Sequence, residues 1–284
     1  MQTVAIIGTG LIGASFGLAL KAAGFRGEIL GVSSQRAVAD ALACGAIDRA
    51  AGLEEAAAGA DLVYLSQTIS RILETLPAIA DCVRPGALVT DAGSTKAEIV
   101  RAARVFAGRA QFLGGHPMAG KEKRGAAEAA ADLFAGRTWI LTPESPQQAE
   151  TPAALDLVAW IRKIGAVPVL LSPQEHDRVV SLTSHLPQLL STALAATLAE
   201  RLTVPDHLAA AGPGLADMTR LAGSSYEIWR DILATNTGDI DAALSAVIEK
   251  LTILRSTLTE PETGETFEAG AEFAARVRRP TSSS

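Results

Sequence analysis

The sequence lacks several features that would assign it to a special class of protein. It has only two cysteines, Cys44 and Cys82, which excludes a disulfide framework. Their spacing is also unlike that of a metal site, so we predict a reducing compartment and no bound metal. No stretch reaches the roughly 18 uninterrupted apolar residues that a membrane-spanning helix needs. The first residues, "MQTVAIIGTG", lack the basic start of a signal peptide, so we expect a cytoplasmic protein that does not enter a membrane.

The charge balance argues against nucleic-acid binding. The formal net charge is −6, and no block rich in lysine and arginine occurs before the tail. Apolar residues make up 48 % of the chain and charged residues 20 %, which is ordinary for a globular protein. The composition therefore indicates an ordinary globular protein that does not bind nucleic acid.

The first part of the chain alternates short apolar runs with longer helical patterns. Helical patterns cover residues 11–23, 71–83 and 96–107. Since the runs are apolar throughout, we predict strands buried on both faces of a mostly parallel sheet. This predicts an α/β fold, with a Rossmann-type domain over residues 1–171. The predicted strands are 3–8, 28–32, 61–66, 87–92, 111–115, 138–143 and 166–171.

The pattern changes after residue 171. A single long helical pattern covers 173–202, "GPG" follows at 212–214, and helical stretches continue to about Leu258. We predict an all-helical domain over residues 172–284, which forms a homodimer because it is too elongated to bury its apolar faces alone. Pro187 lies inside the long pattern and should kink or break that helix. We expect the polar last residues to fray.

A glycine-rich turn follows the first predicted strand. "GTGLIG" has the spacing G-x-G-x-x-G, and it leads directly into a helical pattern. The first two glycines allow a tight turn and a close approach to a pyrophosphate, and the third allows the helix to pack against the strand. A structural turn that binds nothing is the alternative. The predicted cofactor-binding positions are Gly8, Gly10, Leu11, Ile12, Gly13 and Ser66.

The end of the second predicted strand bears on which dinucleotide binds. An acidic residue there would bind the ribose 2′-hydroxyl of NAD, whereas hydroxyl and basic groups suit a 2′-phosphate. The sequence is "GVSSQR", with Ser33, Ser34 and Arg36 and no carboxylate. We therefore predict NADP, with NAD possible. The alternative is a helix cap followed by a surface arginine.

The stretch "FLGGHPMAG" contains His116, one of only four histidines. It follows a predicted strand, where open α/β sheets bind their ligands. We predict a glycine-rich, proline-locked turn that presents the imidazole at a fixed place. Ser94 follows another predicted strand in "TDAGSTK". Beside a nicotinamide, His116 suits a general base for an alcohol that is oxidised, and an ordinary surface turn is the alternative.

The helical part adds three candidate residues. In "SLTSHLPQLL", His185 and Gln188 are three residues apart and share a helix face beside Pro187. A packed histidine and a tolerated proline are the alternative. Arg220, in "DMTRLAG", suits a clamp for a substrate carboxylate, although a single arginine is usually a solvated surface group.

The motifs together resemble the prephenate and arogenate dehydrogenases, the dehydrogenases of tyrosine biosynthesis. The motifs that carry the resemblance are "GTGLIGASFGLAL", "TDAGSTK", "GGHPMAG", "SHLP", "MTR" and "IWRDI", which extend from the first strand to about Leu258. No segment resembles the chorismate mutase or ACT domain of some relatives, so the chain is similar to the stand-alone form. The resemblance implies an oxidative decarboxylation, in which hydride passes to the nicotinamide and the ring carboxylate leaves as CO2.

The resemblance also implies roles for individual residues. His116 would bind the ring 4-hydroxyl and take its proton, and Ser94 would orient that hydroxyl and the nicotinamide. His185 would contact the substrate, and Arg220 would hold a substrate carboxylate. A neutral His116 is needed to accept a proton, so we expect activity to fall as the pH drops through its pKa.

The sequence also departs from the family pattern. Some relatives have histidine where this chain has Gln188 and a basic residue where it has Ala216, and "YLSQTIS" lacks a proline. Prephenate has a keto group in its side chain where arogenate has an ammonium. The carbonyl of Gln188 can accept a hydrogen bond from that ammonium. We therefore expect arogenate to be used at least as well as prephenate.

Two other functions are compatible with the same fold. A two-domain hydroxyacid dehydrogenase usually places a catalytic lysine on a long second-domain helix. Here residues 173–202 contain no lysine, and Lys250 is the only one in the helical part. A non-catalytic NADP-binding protein would not need Ser94, His116, His185 and Arg220 together.

Overall fold

The computed structural model describes residues 1–121 and 123–278. The fraying expected for the last residues concerns 279–284, which lie outside these ranges. The described chain forms two compact units, one over residues 1–237 and one that begins at Gly238. Within the described ranges, none of the helices is both long enough and apolar enough to cross a membrane.

Eight strands form one sheet in the order β3-β2-β1-β4-β5-β6-β7-β8. All neighbours are parallel except β6 and β7, which are antiparallel. The seven predicted strands are confirmed, and the short strand β3 adds to them. The strands are β1 (Thr3–Ile7), β2 (Glu28–Val32), β3 (Arg49–Ala50), β4 (Leu62–Leu65), β5 (Leu88–Asp91), β6 (Gln111–Pro117), β7 (Thr138–Thr142) and β8 (Val167–Leu170).

Helices cover the sheet and make up the rest of the described chain. Those up to residue 171 are α1 (Leu11–Ala22), α2 (Gln35–Ala43), α3 (Leu53–Gly59), α4 (Ile69–Ile79), α5 (Ala97–Ala102), α6 (Pro146–Ala149) and α7 (Pro152–Lys163). Those that follow are α8 (Pro173–Val180), α9 (Leu186–Arg201), α10 (Pro213–Thr219), α11 (Tyr226–Thr235), α12 (Thr237–Ser256) and α13 (Pro261–Arg278). A mostly parallel Rossmann-type sheet followed by helices confirms the predicted fold class.

The core lies where the central strands meet helix α1. The side chains of Phe16, Tyr64 and Trp139 are fully buried there, and the ring of Phe16 lies 4.5 Å from that of Tyr64 and 5.6 Å from that of Trp139. Close aromatic packing of this kind adds to the gain from burying apolar surface. The strands that carry the site are therefore packed against a buried aromatic core.

Three predicted helical boundaries differ from the structure. The pattern over 96–107 gives only the short helix α5 and a 3₁₀ turn, Ala103–Phe106. The pattern over 173–202 gives α8 and α9, joined by a π-helical segment, Ser181–His185. Pro187 lies in the first turn of α9, where a missing N–H costs little, so the wider π turn accommodates it without a break. Helical structure also extends beyond Leu258, through α13.

Candidate active site

The candidate residues meet at one edge of the sheet. Strands β1, β4, β5 and β6 are parallel to one another, so their carboxyl ends lie at the same edge. The glycine-rich turn follows β1, Ser66 follows β4, Ser94 follows β5, and His116 lies near the end of β6. The order β3-β2-β1-β4-β5-β6 is that of a dinucleotide-binding sheet.

The glycine-rich turn is closely packed at Gly8 and Gly13 and open at Gly10. Gly8 has φ of +98°, and a Cβ there would lie 2.5 Å from the backbone oxygen of Ser66. A Cβ on Gly13 would lie 2.1 Å from the backbone oxygen of Gly8. Gly10, in contrast, faces open space. Only glycine fits the first and third positions, and the second leaves room for a ligand to approach the backbone.

This turn fits the pyrophosphate of a dinucleotide. Gly10 precedes helix α1 and offers no side-chain cap, so the first N–H groups of the helix remain available to an anion. Leu11 and Ile12 begin the helix and are partly exposed. The hydroxyl of Ser66 donates to the backbone oxygen of Gly8 over 2.5 Å. Ser66 therefore braces the turn through its side chain.

The end of β2 carries three exposed polar residues. Ser33, Ser34 and Arg36 are all exposed, as a site for an adenosine phosphate would require. The hydroxyl of Ser34 accepts a hydrogen bond from the backbone N–H of Ala37 at 3.4 Å and caps helix α2. The cap uses the Ser34 hydroxyl only as an acceptor, so its O–H, like the side chains of Ser33 and Arg36, is still able to contact a ligand at this position.

His116 lies on a strand, so the predicted glycine-rich turn is wrong. The residue is part of β6 and pairs with Ile140 of the antiparallel strand β7. The two preceding glycines serve close packing. A Cβ on Gly114 would lie 2.3 Å from Oγ1 of Thr142, and one on Gly115 would lie 2.6 Å from the backbone oxygen of Asp91. The sheet itself, rather than a turn, holds the imidazole in place.

A second histidine contacts His116. The Nδ1 atom of His116 lies 2.8 Å from Nε2 of His176, and Nδ1 of His176 lies 2.7 Å from Oδ1 of Asp177. Asp177 also accepts hydrogen bonds from the backbone N–H groups of Lys96, at 2.7 Å, and Ala97, at 2.9 Å. These bonds join helix α8 to the loop that follows β5.

A buried ion pair lies beside the two histidines. The ammonium of Lys96 donates to the carboxylate of Asp91 and, over 2.8 Å, to the backbone oxygen of Gly115. Asp91 also accepts from the backbone N–H groups of Gly93 and Gly115, at 2.8 and 3.0 Å. Both side chains are fully buried, so the pair is supported by the hydrogen bonds that a buried charge needs.

Three histidines in this network are held neutral. Burial lowers the pKa of His116 well below its usual value, and the nearby His176, Lys96 and His185 lower it further. Burial also lowers the pKa of His176, against the opposing effect of Asp177. Burial lowers the pKa of His185 to about 4. Neutral imidazoles can accept a proton near neutral pH.

His185 reaches the same network from the π-helical segment. Its Nδ1 atom lies 3.4 Å from Nδ2 of Asn236, which donates to the backbone oxygen of Asp177 over 2.9 Å. Its ring is nearly perpendicular to that of Trp229, with the ring centroids 5.8 Å apart. The Nε2 atom of His185 is buried and has no hydrogen-bond partner among the described residues. A buried polar atom of this kind suits a contact with a bound ligand.

Gln188 joins helix α9 to the segment that begins at Arg220. Its amide nitrogen donates to the backbone oxygen of Leu221, at 2.7 Å, and to Oγ1 of Thr192, at 3.2 Å. Both amide hydrogens are thus used within the protein, and the carbonyl oxygen is the remaining polar atom. Arg220 itself is exposed at the start of a 3₁₀ turn, Arg220–Gly223.

Ser94 is partly exposed in the loop between β5 and α5. The hydroxyl oxygen of the neighbouring Thr95 lies 2.7 Å from that of Thr235, and this hydrogen bond holds the loop against helix α11. The structure thus brings His116 and His185 into one network and places Ser94 at the same sheet edge.

Sequence reasoning missed the residues that connect the predicted ones, namely Asp91, Lys96, His176, Asp177 and Asn236. Two signals were available. With so few histidines in the chain, the His-Asp dipeptide in "EHD" is unusual, and "TDAGSTK" places two charges at a buried strand end. Among the described residues, no group of three or more histidine, cysteine or acidic side chains could hold a metal ion.

The sheet order and the glycine-rich turn define the class of dinucleotide-binding α/β proteins. Family models extend this assignment along most of the chain. The prephenate dehydrogenase nucleotide-binding domain matches residues 16–170, and the prephenate dehydrogenase dimerization domain matches residues 172–270. The chain belongs to the prephenate dehydrogenase family.

Individual proteins agree with this assignment. A prephenate dehydrogenase of Lactococcus lactis is 37 % identical over 83 % of this chain and 65 % of its own, so the chain spans less than two thirds of that relative. The crystal structure of prephenate dehydrogenase from A. aeolicus, with hydroxyphenyl propionate and NAD+, is 30 % identical, with a TM-score of 0.82 over 98 % of this chain and 96 % of that one. The structure of Synechocystis arogenate dehydrogenase is 28 % identical, with a TM-score of 0.80 over 97 % and 100 %.

Proposed function

We propose that the protein catalyses the NADP-dependent oxidative decarboxylation of arogenate, prephenate or both. The products are tyrosine from arogenate and 4-hydroxyphenylpyruvate from prephenate, so the reaction belongs to tyrosine biosynthesis. The domain boundary near residue 171 is part of the proposal, with the cofactor bound by residues 1–171 and the substrate contacted from residues 172–284.

The observation that carries the proposal is the state of His116. It is a buried, neutral imidazole at the sheet edge where the glycine-rich turn also ends. Oxidation of an alcohol releases a proton as well as a hydride, and a neutral imidazole is suited to take that proton. His116 would therefore bind the ring 4-hydroxyl as the general base, with Ser94 orienting the same hydroxyl.

The turn and the end of β2 would hold the cofactor. Gly8, Gly10 and Gly13 would shape the pyrophosphate site, and Ser33, Ser34 and Arg36 would bind the 2′-phosphate. When bound, the nicotinamide supplies the acceptor for the hydride. The NAD+ in the A. aeolicus structure belongs to that protein, and the absence of a carboxylate at the end of β2 is what supports NADP here.

Residues of the helical part would bind the rest of the substrate. The unpartnered Nε2 of His185 offers a polar contact in a buried place, and Arg220 offers a charge for a carboxylate. Gln188 presents its carbonyl oxygen, because both amide hydrogens are bound within the protein. That oxygen accepts from the ammonium of arogenate, so we propose that arogenate is used at least as well as prephenate.

We also propose a homodimer built from the helical part. Helices α12 and α13 expose large apolar side chains, including Ile248, Leu251, Phe267 and Phe273. A second copy of the chain would bury such residues, and the match to a dimerization domain supports this arrangement. Light scattering of the purified protein should give twice the mass of one chain, and a monomer at all concentrations would contradict it.

The activity is tested by adding each substrate with NADP or NAD and following the absorbance of the reduced nicotinamide. The His116→Asn variant should lose kcat by about a hundredfold or more, as expected for a missing general base, with cofactor binding retained. The His207→Asn variant is the control, since His207 is exposed outside the network. No turnover of either substrate by the wild type would reject the proposal, as would an unchanged kcat for His116→Asn.

The substrate preference has its own variant. We expect kcat/KM for arogenate to equal or exceed that for prephenate in the wild type, and Gln188→His to shift the ratio towards prephenate, because it replaces the carbonyl acceptor. A wild type that prefers prephenate tenfold or more, with no change in Gln188→His, would remove Gln188 as the selector. Turnover of a simple hydroxyacid instead of both substrates would favour a hydroxyacid dehydrogenase.

A further inference from the structure

Behind His116, a series of hydrogen bonds runs through His176 to Asp177, and the proposed function assigns these two residues no role. His176 contacts His116 on one side and Asp177 on the other, at 2.8 and 2.7 Å between the bonded atoms. His176 is fully buried, whereas His116 keeps 8 % of its surface exposed. His176 is therefore sealed from any substrate and can act only through His116.

The charge of Asp177 decides where the proton on His176 lies. Asp177 accepts two backbone N–H groups at the start of helix α5, those of Lys96 and Ala97, on its two oxygens. These contacts favour the ionised carboxylate, which can only accept. The Nδ1 atom of His176, 2.7 Å away, must therefore carry a hydrogen and donate it. A neutral His176 then has a bare Nε2.

The hydrogen on His116 follows from that on His176. Since the bare Nε2 of His176 can only accept, the Nδ1 atom of His116 must donate to it over 2.8 Å. A neutral His116 with its hydrogen on Nδ1 has a free lone pair on Nε2. This is the opposite of the tautomer that a free histidine prefers, in which the hydrogen is on Nε2 and no base would face the substrate.

We propose that His176 and Asp177 are positioning residues that hold His116 as its Nδ1–H tautomer, so that Nε2 is the atom that takes the substrate proton. In that step the bond between the substrate oxygen and its hydrogen breaks, and a bond between Nε2 and that hydrogen forms. The resulting imidazolium keeps its Nδ1–H bond to His176. The catalytic consequence rests on the proposed function, whereas the tautomer is a property of the free protein.

The tautomer is measured without any substrate. Protonated and bare ring nitrogens resonate in well-separated 15N ranges, so long-range 1H–15N spectra of the full-length labelled protein report each histidine. The four histidines are assigned with His116→Asn, His176→Gln, His185→Gln and His207→Gln. We expect His116 and His176 both to carry their hydrogen on Nδ1 near neutral pH. A hydrogen on Nε2 of His116, or a doubly protonated His176, would overturn the proposal.

Variants of His176 separate positioning from simple packing. In His176→Leu, His116 loses its acceptor, so we expect its hydrogen to move mostly to Nε2 and kcat to fall by at least about tenfold and up to about 10⁴-fold, the loss that a wrong tautomer of a catalytic histidine causes in serine proteases. In His176→Gln, the side-chain oxygen accepts from Nδ1, so the tautomer and most of kcat should return. KM for NADP should stay unchanged in both.

The outcomes separate this inference from the proposed function. If His176→Leu leaves the tautomer of His116 and kcat unchanged, or if His176→Gln loses as much kcat as His176→Leu, positioning by His176 is wrong. If the wild type has the expected tautomers but turns over neither substrate, the positioning chain stands and the proposed function fails. The wild-type spectrum decides the tautomer even if a variant does not fold.

Discussion

Two regions of the first compact unit bury opposite kinds of side chain. Up to residue 171, most buried side chains are apolar and lie on the strands and the helices that cover them. From residue 172 to residue 237, the buried apolar side chains among those described are Pro173, Val180 and Ile232. The buried polar residues there are His176, Asp177, Ser181, His185, Gln188, Ser191, Asp231 and Asn236.

The two kinds of buried side chain have different effects on the protein: apolar burial stabilises the fold, and buried hydrogen bonds fix the positions of particular side chains. Apolar burial is non-directional and roughly additive in area, so the first region holds the sheet together without fixing single contacts. Buried polar groups are costly unless each is bonded, and those bonds fix direction. The second region therefore buries little apolar surface, and its hydrogen bonds orient the imidazoles of His116 and His185.

The largest effect we expect is in the apolar region. Phe16 is fully buried against two aromatic rings, so Phe16→Ala should lower the free energy of unfolding by about 3–5 kcal/mol. Tyr226→Ala also removes an aromatic ring, but from a side chain that is 70 % exposed, and its effect should be far smaller. Urea titrations of both variants measure the difference. Equal losses would show that the apolar core does not dominate stability.

The polar region should respond to acid. The folded protein lowers the pKa of three buried histidines, His116, His176 and His185. As the pH falls, the unfolded chain therefore binds protons at pH values at which the folded chain does not. The contribution of these three histidines to the free energy of unfolding should be constant above pH 6.5, the ordinary histidine value, and fall as the pH drops below it. For His185, with a pKa of about 4, the loss between those two values is on the order of 3 kcal/mol.

Urea unfolding at a series of pH values checks this dependence. The slope of stability against pH should become shallower in His185→Gln, because one buried imidazole is gone. The exposed His207→Gln is the matched control, and its slope should equal that of the wild type. A stability that stays flat as the pH drops from 6.5 towards 4 would contradict the buried neutral histidines.

Much of the first region could be predicted from the sequence, but little of the second. Uninterrupted apolar runs and the spacing of Gly8, Gly10 and Gly13 predicted seven strands and the cofactor turn, because these signals are local. The contact between His116 and His176 joins residues 60 positions apart, and no local pattern encodes it. The glycines before His116 also misled us, since close packing of a strand and a tight turn select the same residue.

The contact with a substrate carboxylate should depend on the second region. A charge-assisted contact to a carboxylate is worth roughly 1.5–3 kcal/mol, so Arg220→Ala should raise KM for the substrate by about 10- to 150-fold. KM for NADP should stay near the wild-type value. Arg201→Ala, an exposed arginine at the end of α9, is the control and should change neither constant. If both constants rise together in Arg220→Ala, Arg220 supports the fold rather than the substrate.

Cofactor choice should depend on the first region alone, and its effect is the smallest. Ser33 is exposed at the end of β2, where a carboxylate would bind the 2′-hydroxyl of NAD and repel a 2′-phosphate. Ser33→Asp should therefore shift the ratio of kcat/KM for NADP over NAD by about tenfold towards NAD, the effect of about 1.4 kcal/mol, and leave KM for the substrate unchanged. Gln35→Ala is the control: it removes an exposed neighbouring side chain and should leave the cofactor ratio near that of the wild type. A wild type that prefers NAD would show that the end of β2 does not select the cofactor, and a change in substrate KM in Ser33→Asp would show that the two regions do not act separately.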